Sequence, residues 1–200
     1  MKIKAFSVKL RNVIINWYGG GCYKISASVA DIVVDPSSSS GAGGRLKGDL
    51  VIKTRVPLPL DMGKIGENEI AVPGEYEISG VKIRGVALPS GGDSPIGELK
   101  TAYRMVVDGI NIALLGDVDA ELGEKALDVL GDIDILFVPS NKNSGKLIKS
   151  IDPSIAIPGW GDPKIVMAET GQKPDQLEKL VIKKKDLEAE EGFRLVVLKQ

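Results

Sequence analysis

Apolar and polar residues change their spacing partway along the chain. Up to residue 115, short runs of branched and aromatic residues alternate with glycine and polar turns, a pattern typical of strands. The predicted strands are residues 13–17, 22–27, 32–34, 50–54, 69–72, 75–78, 81–87, 102–107 and 110–115. Ser79-Gly80 and Asp108-Gly109 each join two such runs, and these pairs predict two hairpins.

The remaining residues alternate helical and strand spacing. Helices are predicted at 120–130, 144–151 and 164–170, and strands at 133–138, 155–158, 177–183 and 193–198. Gly131 and Gly171 follow the first and third of these helices, where glycine commonly ends a helix. A meander of strands followed by alternating strands and helices predicts an α/β (α+β) fold, with two sheets and helices on their outer faces.

Prolines and small residues predict irregular backbone in two places. Pro36 ends a strand because proline cannot donate to a sheet ladder, and the Ser- and Gly-rich residues 37–48 are predicted to form a flexible loop. Pro57 and Pro59 predict that no regular structure follows residue 54. Residues 1–200 have the length of a single domain with its own core.

Charge and cysteine content limit the partners that we expect. The chain has 26 basic and 27 acidic residues and only 4% aromatic residues, so we expect no nucleic-acid or membrane partner. The single cysteine, Cys22, excludes an internal disulfide and fits a reducing compartment. Lys4, Lys9 and Arg11 interrupt the apolar N-terminal stretch, and no run is long enough to span a bilayer. A cytoplasmic protein is therefore expected.

The 200 residues contain no histidine. Histidine is the commonest metal ligand and the side chain that titrates nearest to neutral pH. Its absence excludes Ser-His-Asp and Cys-His catalysis and every zinc site built on imidazole. Any catalysis would have to use carboxylates, lysines, tyrosines or hydroxyls.

Six segments, taken in their order along the chain, resemble one protein family. They are WYGGGCYKI (17–25), DIVVDP (31–36), VPGEYEISGVKIRGV (72–86), TAYRMVVDGINIALLGD (101–117), GDIDILFVP (131–139) and PSIAIPGW (153–160). In this order they are similar to the small bacterial and archaeal Zn-dependent hydrolases of the metallo-β-lactamase fold, a group that also resembles ascorbate-6-phosphate lactonase. The resemblance implies a four-layer αββα sandwich with a metal site at one edge of its two sheets.

The same resemblance shows which family residues are replaced. Positions at which the family has a metal ligand or site histidine are occupied here by Gly20, Arg55, Pro57, Pro59, Leu60, Pro89 or Ser90, Leu114 and Trp160, and Asp117 alone is kept. A catalytic zinc ion typically takes three protein ligands, and water without a metal keeps a pKa far above neutral pH. We therefore expect no zinc cofactor and no catalytic or metal-binding residues, but a degenerate pocket formed by these positions.

Three functions stay open at this point. The first is a non-catalytic pseudo-hydrolase that binds a partner or forms a homo-oligomer. The second is a hydrolase for a small anionic or phosphorylated substrate, rebuilt around Asp117 and Arg55. The third is a small-anion binder in which the Arg55 guanidinium contacts the ligand.

Carboxylates in predicted loops offer oxygen ligands for Mg²⁺ in the rebuilt hydrolase. They are Asp61, Asp93, Asp117, Asp119, Glu121 and Asp162. The alternative is that Asp117 or Asp119 caps the following helix and that the others are solvated. Trp160 is expected to fill former pocket volume because its side chain supplies a large apolar area.

Overall fold

A computed structural model describes residues 12–36, 46–89, 97–187 and 192–199. Its smaller sheet contains six strands: β1 Val13–Trp17, β2 Tyr23–Ser26, β3 Asp31–Val34, β4 Leu50–Ile52, β6 Glu69–Ile70 and β14 Lys179–Ile182, in the order β14-β1-β2-β3-β4-β6. The pairs β3–β4 and β4–β6 are parallel, and the others are antiparallel. Most of the predicted flexible loop, residues 37–45, lies outside the described residues.

The larger sheet contains nine strands. They are β5 Arg55–Pro57, β7 Gly74–Ile78, β8 Val81–Leu88, β9 Glu98–Val107, β10 Ile110–Leu114, β11 Ile135–Pro139, β12 Ile155–Gly159, β13 Asp175–Leu177 and β15 Arg194–Leu198. Eight of them follow the order β13-β15-β12-β11-β10-β9-β8-β7, and β5 pairs with β9. The predicted hairpins are confirmed: β7–β8 turns at Ser79-Gly80 and β9–β10 at Asp108-Gly109, all four residues with positive φ.

The α-helices of the described residues pack on the larger sheet. They are α1 Glu124–Leu130, α2 Ser144–Ile151 and α3 Pro163–Thr170, and short 3-10 helices lie at Met62–Lys64 and Lys184–Asp186. One apolar cluster fills the space between the sheets and a second lies between the larger sheet and the helices. The two-sheet α+β sandwich predicted from the sequence is therefore confirmed. No helix in these ranges is long and apolar enough to cross a membrane.

Two strand predictions are wrong in detail. Arg55–Pro57 is a strand although the prolines predicted irregular backbone, and Pro57 fits because it ends a three-residue strand that pairs on one side with β9. The predicted strand 177–183 is divided instead between two sheets, since β13 pairs with β15 and β14 pairs with β1.

Candidate functional site

A cleft of about 550 Å³ opens where strands of both sheets end. Its lining residues are Gly20, Gly21, Asp35, Pro36, Lys53, Arg55, Val56, Pro57, Asp117, Trp160 and Gly161. Asp35 follows β3, Asp117 lies beyond β10, and Trp160 follows β12. Ligand sites of layered α/β proteins commonly lie beyond the carboxyl ends of the strands, and this cleft has that position.

Strand β9 brings Arg55 and Asp117 to the same wall of the cleft. Its residues 103–107 pair with β10, and residues 98–100 pair with β5. Strand β8 occupies the other side of β9, so β5 continues the sheet at the point where β10 ends. The chain leaving β10 towards Asp117 therefore runs beside Arg55.

Asp35 is held by three hydrogen bonds from two residues. The backbone N–H and the hydroxyl of Thr54 donate to its carboxyl over 2.7 and 2.5 Å, and the Trp160 indole Nε1–H donates over 2.9 Å. Desolvation raises the pKa of Asp35, although these hydrogen bonds and the charge of Arg55 act in the opposite direction. The carboxyl is thus a partly buried acceptor whose ionised form is disfavoured by its surroundings.

The Trp160 side chain fits the cleft because Gly21 has no side chain. A methyl group built on Gly21 would overlap the indole ring. The centre of the indole lies 6.1 Å from the centre of the Tyr23 ring, which is itself 4.6 Å from that of Phe137. Trp160 has φ of 49°, a left-handed conformation that is uncommon for a bulky residue, so the packing and the bond to Asp35 hold it in place.

The two cations that line the cleft, Arg55 and Lys53, differ in how closely they are paired. Arg55 Nη1 lies 3.5 Å from Asp117 Oδ2 and its Nε lies 3.7 Å from Glu98 Oε1. About half of the Arg55 side chain is exposed, at 49%. Lys53, the second cation of the lining, forms a 2.5 Å ion pair with Glu69. Of these two cations, Arg55 is therefore the one whose charged group is available to a molecule in the cleft.

The structure brings together five of the nine residues assigned to the degenerate pocket. Gly20, Arg55, Pro57, Asp117 and Trp160 line the cleft. The other four do not: Pro59 and Pro89 are exposed and Leu60 is half-buried, whereas Leu114 lies in the core between the sheets.

The loop carboxylates do not converge on one point. Asp61 and Asp162 bond to backbone N–H groups at Gly63 and Lys164, and Glu121 pairs with Lys146. Asp119 is 4.0 Å from Lys100. Helix α1 begins after Gly123, so the predicted cap by Asp117 or Asp119 is wrong. Asp93 and Ser90 lie outside the described residues.

The donor set of the cleft does not fit zinc. The part of the chain that the structure describes contains no group of three or more His, Cys, Asp or Glu side chains that could hold a metal ion. Asp35 already accepts from Thr54 and Trp160, and Asp117 faces Arg55. A cation placed between these carboxylates would have to displace protein donors at both.

Sequence reasoning missed two polar residues of the lining, Asp35 and Lys53, and also Thr54, which holds Asp35 by two hydrogen bonds. The spacing of apolar residues indicates only that a strand ends at Asp35-Pro36 and that Lys53 and Thr54 lie in the predicted strand 50–54. A signal was present for the two lining residues: Asp35 and Lys53 are polar residues that directly follow the apolar strands β3 and β4, at the end of a sheet where ligand sites collect.

A family model described as the beta-lactamase superfamily domain matches residues 14–159. Among solved structures, a predicted Zn-dependent hydrolase of the metallo-beta-lactamase superfamily from Thermotoga maritima is 20% identical over 93% of this chain and 98% of that chain, with a TM-score of 0.69. Igni18, a metallo hydrolase from the archaeon Ignicoccus hospitalis, is 14% identical over 94% and 95%, with a TM-score of 0.63.

A predicted metal-dependent hydrolase from Parabacteroides distasonis is 20% identical over 94% of both chains, with a TM-score of 0.60. No curated protein sequence matches the chain. At sequence identities of 20% or less, the similarity to these solved structures shows a shared fold and nothing more.

Proposed function

This chain belongs to the beta-lactamase superfamily, and we propose that it is a non-catalytic member whose cleft binds a small anionic ligand. Its structural neighbours are described as metal-dependent hydrolases. In such enzymes a metal ion lowers the pKa of bound water and polarises the substrate. We infer that this chain has the scaffold of these proteins but a different chemistry in its cleft.

One observation carries the proposal: both cleft carboxylates already face protein donors. Asp35 accepts from Thr54 and from the Trp160 indole, and Asp117 lies beside the Arg55 guanidinium. A metal site needs carboxylates that point at a shared vacant position. Here the Arg55 guanidinium lies beside Asp117 and would repel a cation, and the Trp160 indole already donates to Asp35.

Arg55 is the group that supports an anionic ligand. Its contacts to Asp117 and Glu98, at 3.5 and 3.7 Å, are longer than the usual 2.7–2.9 Å of a charge-assisted hydrogen bond. A ligand carboxylate or phosphate offers shorter, paired contacts to the same guanidinium. Lys53 adds a second cation to the same lining.

The test combines metal analysis with ligand binding. After incubation with zinc and removal of free metal, we expect less than stoichiometric zinc by mass spectrometry; one zinc per chain would overturn the proposal. In a thermal-shift screen of small carboxylates and phosphate esters, we expect a stabilising ligand whose effect disappears in Arg55→Ala. Lys146→Ala is the matched control, because Lys146 is also an exposed cation in an ion pair but does not line the cleft.

A rebuilt hydrolase is the second candidate, favoured by the exposure of Asp117. Its carboxyl is 43% exposed at the open side of the cleft and lies next to Arg55. In this case Mg²⁺ would support hydrolysis of a phosphorylated substrate, and Asp117→Asn would abolish it. Activity that persists in Asp117→Asn would rule this candidate out.

A further inference from the structure

A second concave surface lies on the larger sheet, away from the cleft. It has a volume of about 460 Å³ and is lined by residues of β7, β8 and β9, among them Lys82, Arg84, Arg104 and Val106. On the same face, Val86 and Ala102 belong to the apolar cluster beneath the helices. The helical layer does not reach the groove, since Val106 is 37% exposed.

The strand register places like charges opposite each other in this groove. Arg84 of β8 pairs directly with Arg104 of β9, so their side chains leave the same face of the sheet. Lys82 lies two residues before Arg84 and shares that face. Like charges at directly opposite positions destabilise a sheet, and a bound anion would remove this repulsion.

Arg104 is the residue whose contacts are incomplete. Its Nη2 donates to the neutral Asn111 Oδ1 over 3.0 Å, and its Nε is buried with no hydrogen-bond partner among the described residues. A buried N–H on a charged group without an acceptor is costly. A guanidinium has a planar fork of donors that matches the oxygens of a phosphate or carboxylate.

Glu75 and Glu77 of the edge strand β7 limit what the groove can hold. Glu75 lies opposite Arg84, at 3.4 Å from its Nε, and Glu77 lies opposite Lys82. The Glu75–Arg84 pair is exposed on both sides, at 78% and 57%, so it contributes little. These carboxylates would repel an extended polyanion such as nucleic acid, whereas a single compact oxyanion can contact the cations alone.

We propose that Arg104, together with Arg84 and Lys82, forms a second anion site that binds one phosphate group on the outer face of the larger sheet. The site is independent of the cleft and does not rest on the function proposed for it. Free phosphate and a small phosphate monoester share the chemistry that this groove recognises.

The test is a titration with inorganic phosphate at constant ionic strength, in which NMR monitors the ¹⁵N–¹H resonance of Arg104 Nε. This resonance is assigned by its absence from the spectrum of Arg104→Met. We expect this resonance to shift on binding, and the phosphate Kd from calorimetry to rise at least roughly tenfold in Arg104→Met and Arg84→Gln. Arg104→Lys keeps the charge but loses the fork, and is expected to recover part of the affinity. A parallel titration with glycerol phosphate shows whether free phosphate or a phosphate monoester binds more tightly.

Two controls separate this site from the cleft and from a structural role of Arg104. Arg55→Ala is expected to leave the Arg104 shift unchanged, and phosphate binding lost only in Arg55→Ala would overturn the groove site while supporting the cleft. Without phosphate, Arg104→Met is expected to unfold at the same temperature as the parent protein or higher, because it removes like-charge repulsion. An unchanged Kd in Arg104→Met, or no binding by the parent protein at millimolar phosphate, would also overturn the proposal.

Discussion

Replacing Gly21 with alanine is expected to separate the Trp160 indole from Asp35. The added methyl group would overlap the indole nitrogen and the two carbons bonded to it. The backbone of Gly21 is not in the left-handed region, so alanine is compatible with its conformation. The effect of the substitution therefore comes from the overlap alone.

The size of the effect follows from what the indole would lose. Its 2.9 Å hydrogen bond to the Asp35 carboxyl belongs to the class of bonds to charged groups, worth about 1.5–3 kcal/mol. Forcing an extra methyl group into a filled space costs about 1–3 kcal/mol. We expect Gly21→Ala to lower the free energy of unfolding by about 2.5–6 kcal/mol.

A double-mutant cycle with Trp160→Ala tests this account. Once the indole is gone, Gly21→Ala should cost less than about 0.5 kcal/mol, so the two substitutions should be strongly non-additive. Unfolding is followed in urea by far-UV circular dichroism, since one of the two tryptophans is deleted. Gly66→Ala is the control, because a methyl group there meets only ordinary contacts. Equal costs of Gly21→Ala in both backgrounds would refute the reasoning.

Three further predictions concern single side chains. Because desolvation raises the pKa of Asp35 above its unfolded value, the folded chain retains a proton that the unfolded chain releases. Urea unfolding should therefore show stability falling as pH rises through the window between these two pKa values, and Asp35→Asn should flatten that fall. The Cys22 thiol is 1% exposed and should react with a thiol reagent only at the rate of unfolding. The buried Ser144 hydroxyl donates to the Pro139 carbonyl over 2.7 Å, so Ser144→Ala should cost about 1 kcal/mol in urea titrations; no change would contradict this.

Local signals predicted most of the fold. The two hairpins needed only their turn residues, because Ser79-Gly80 and Asp108-Gly109 supply the left-handed conformations that tight turns require. Helix α2 has the predicted bounds, and α3 ends at Gly171 as predicted. These features depend on neighbours within a few residues of each other along the chain.

The errors arose where a distant strand decides the structure. Arg55–Pro57 becomes a strand because residues 98–100 pair with it, and no pattern within the segment reports that partner. Strands β13 and β14 are only one residue apart, yet each pairs in a different sheet. The hydrogen bond between Asp35 and Trp160 joins residues 125 positions apart. The sequence alone shows that one can accept and the other can donate a hydrogen bond, but not that the two side chains meet.

The Asp35–Trp160 hydrogen bond also shows why the residues of the cleft depend on one another. A partly buried carboxyl without a bound cation must either take a proton or accept hydrogen bonds from protein donors, since an unpartnered charge is costly. Here Thr54 and the Trp160 indole provide the donors, and Gly21 provides the space for the indole. Placing a histidine at position 160 alone would remove one donor from Asp35 and leave a gap beside Gly21. The residues at this edge of the sheets are therefore interdependent, and a metal site could be built there only by changing several of them together.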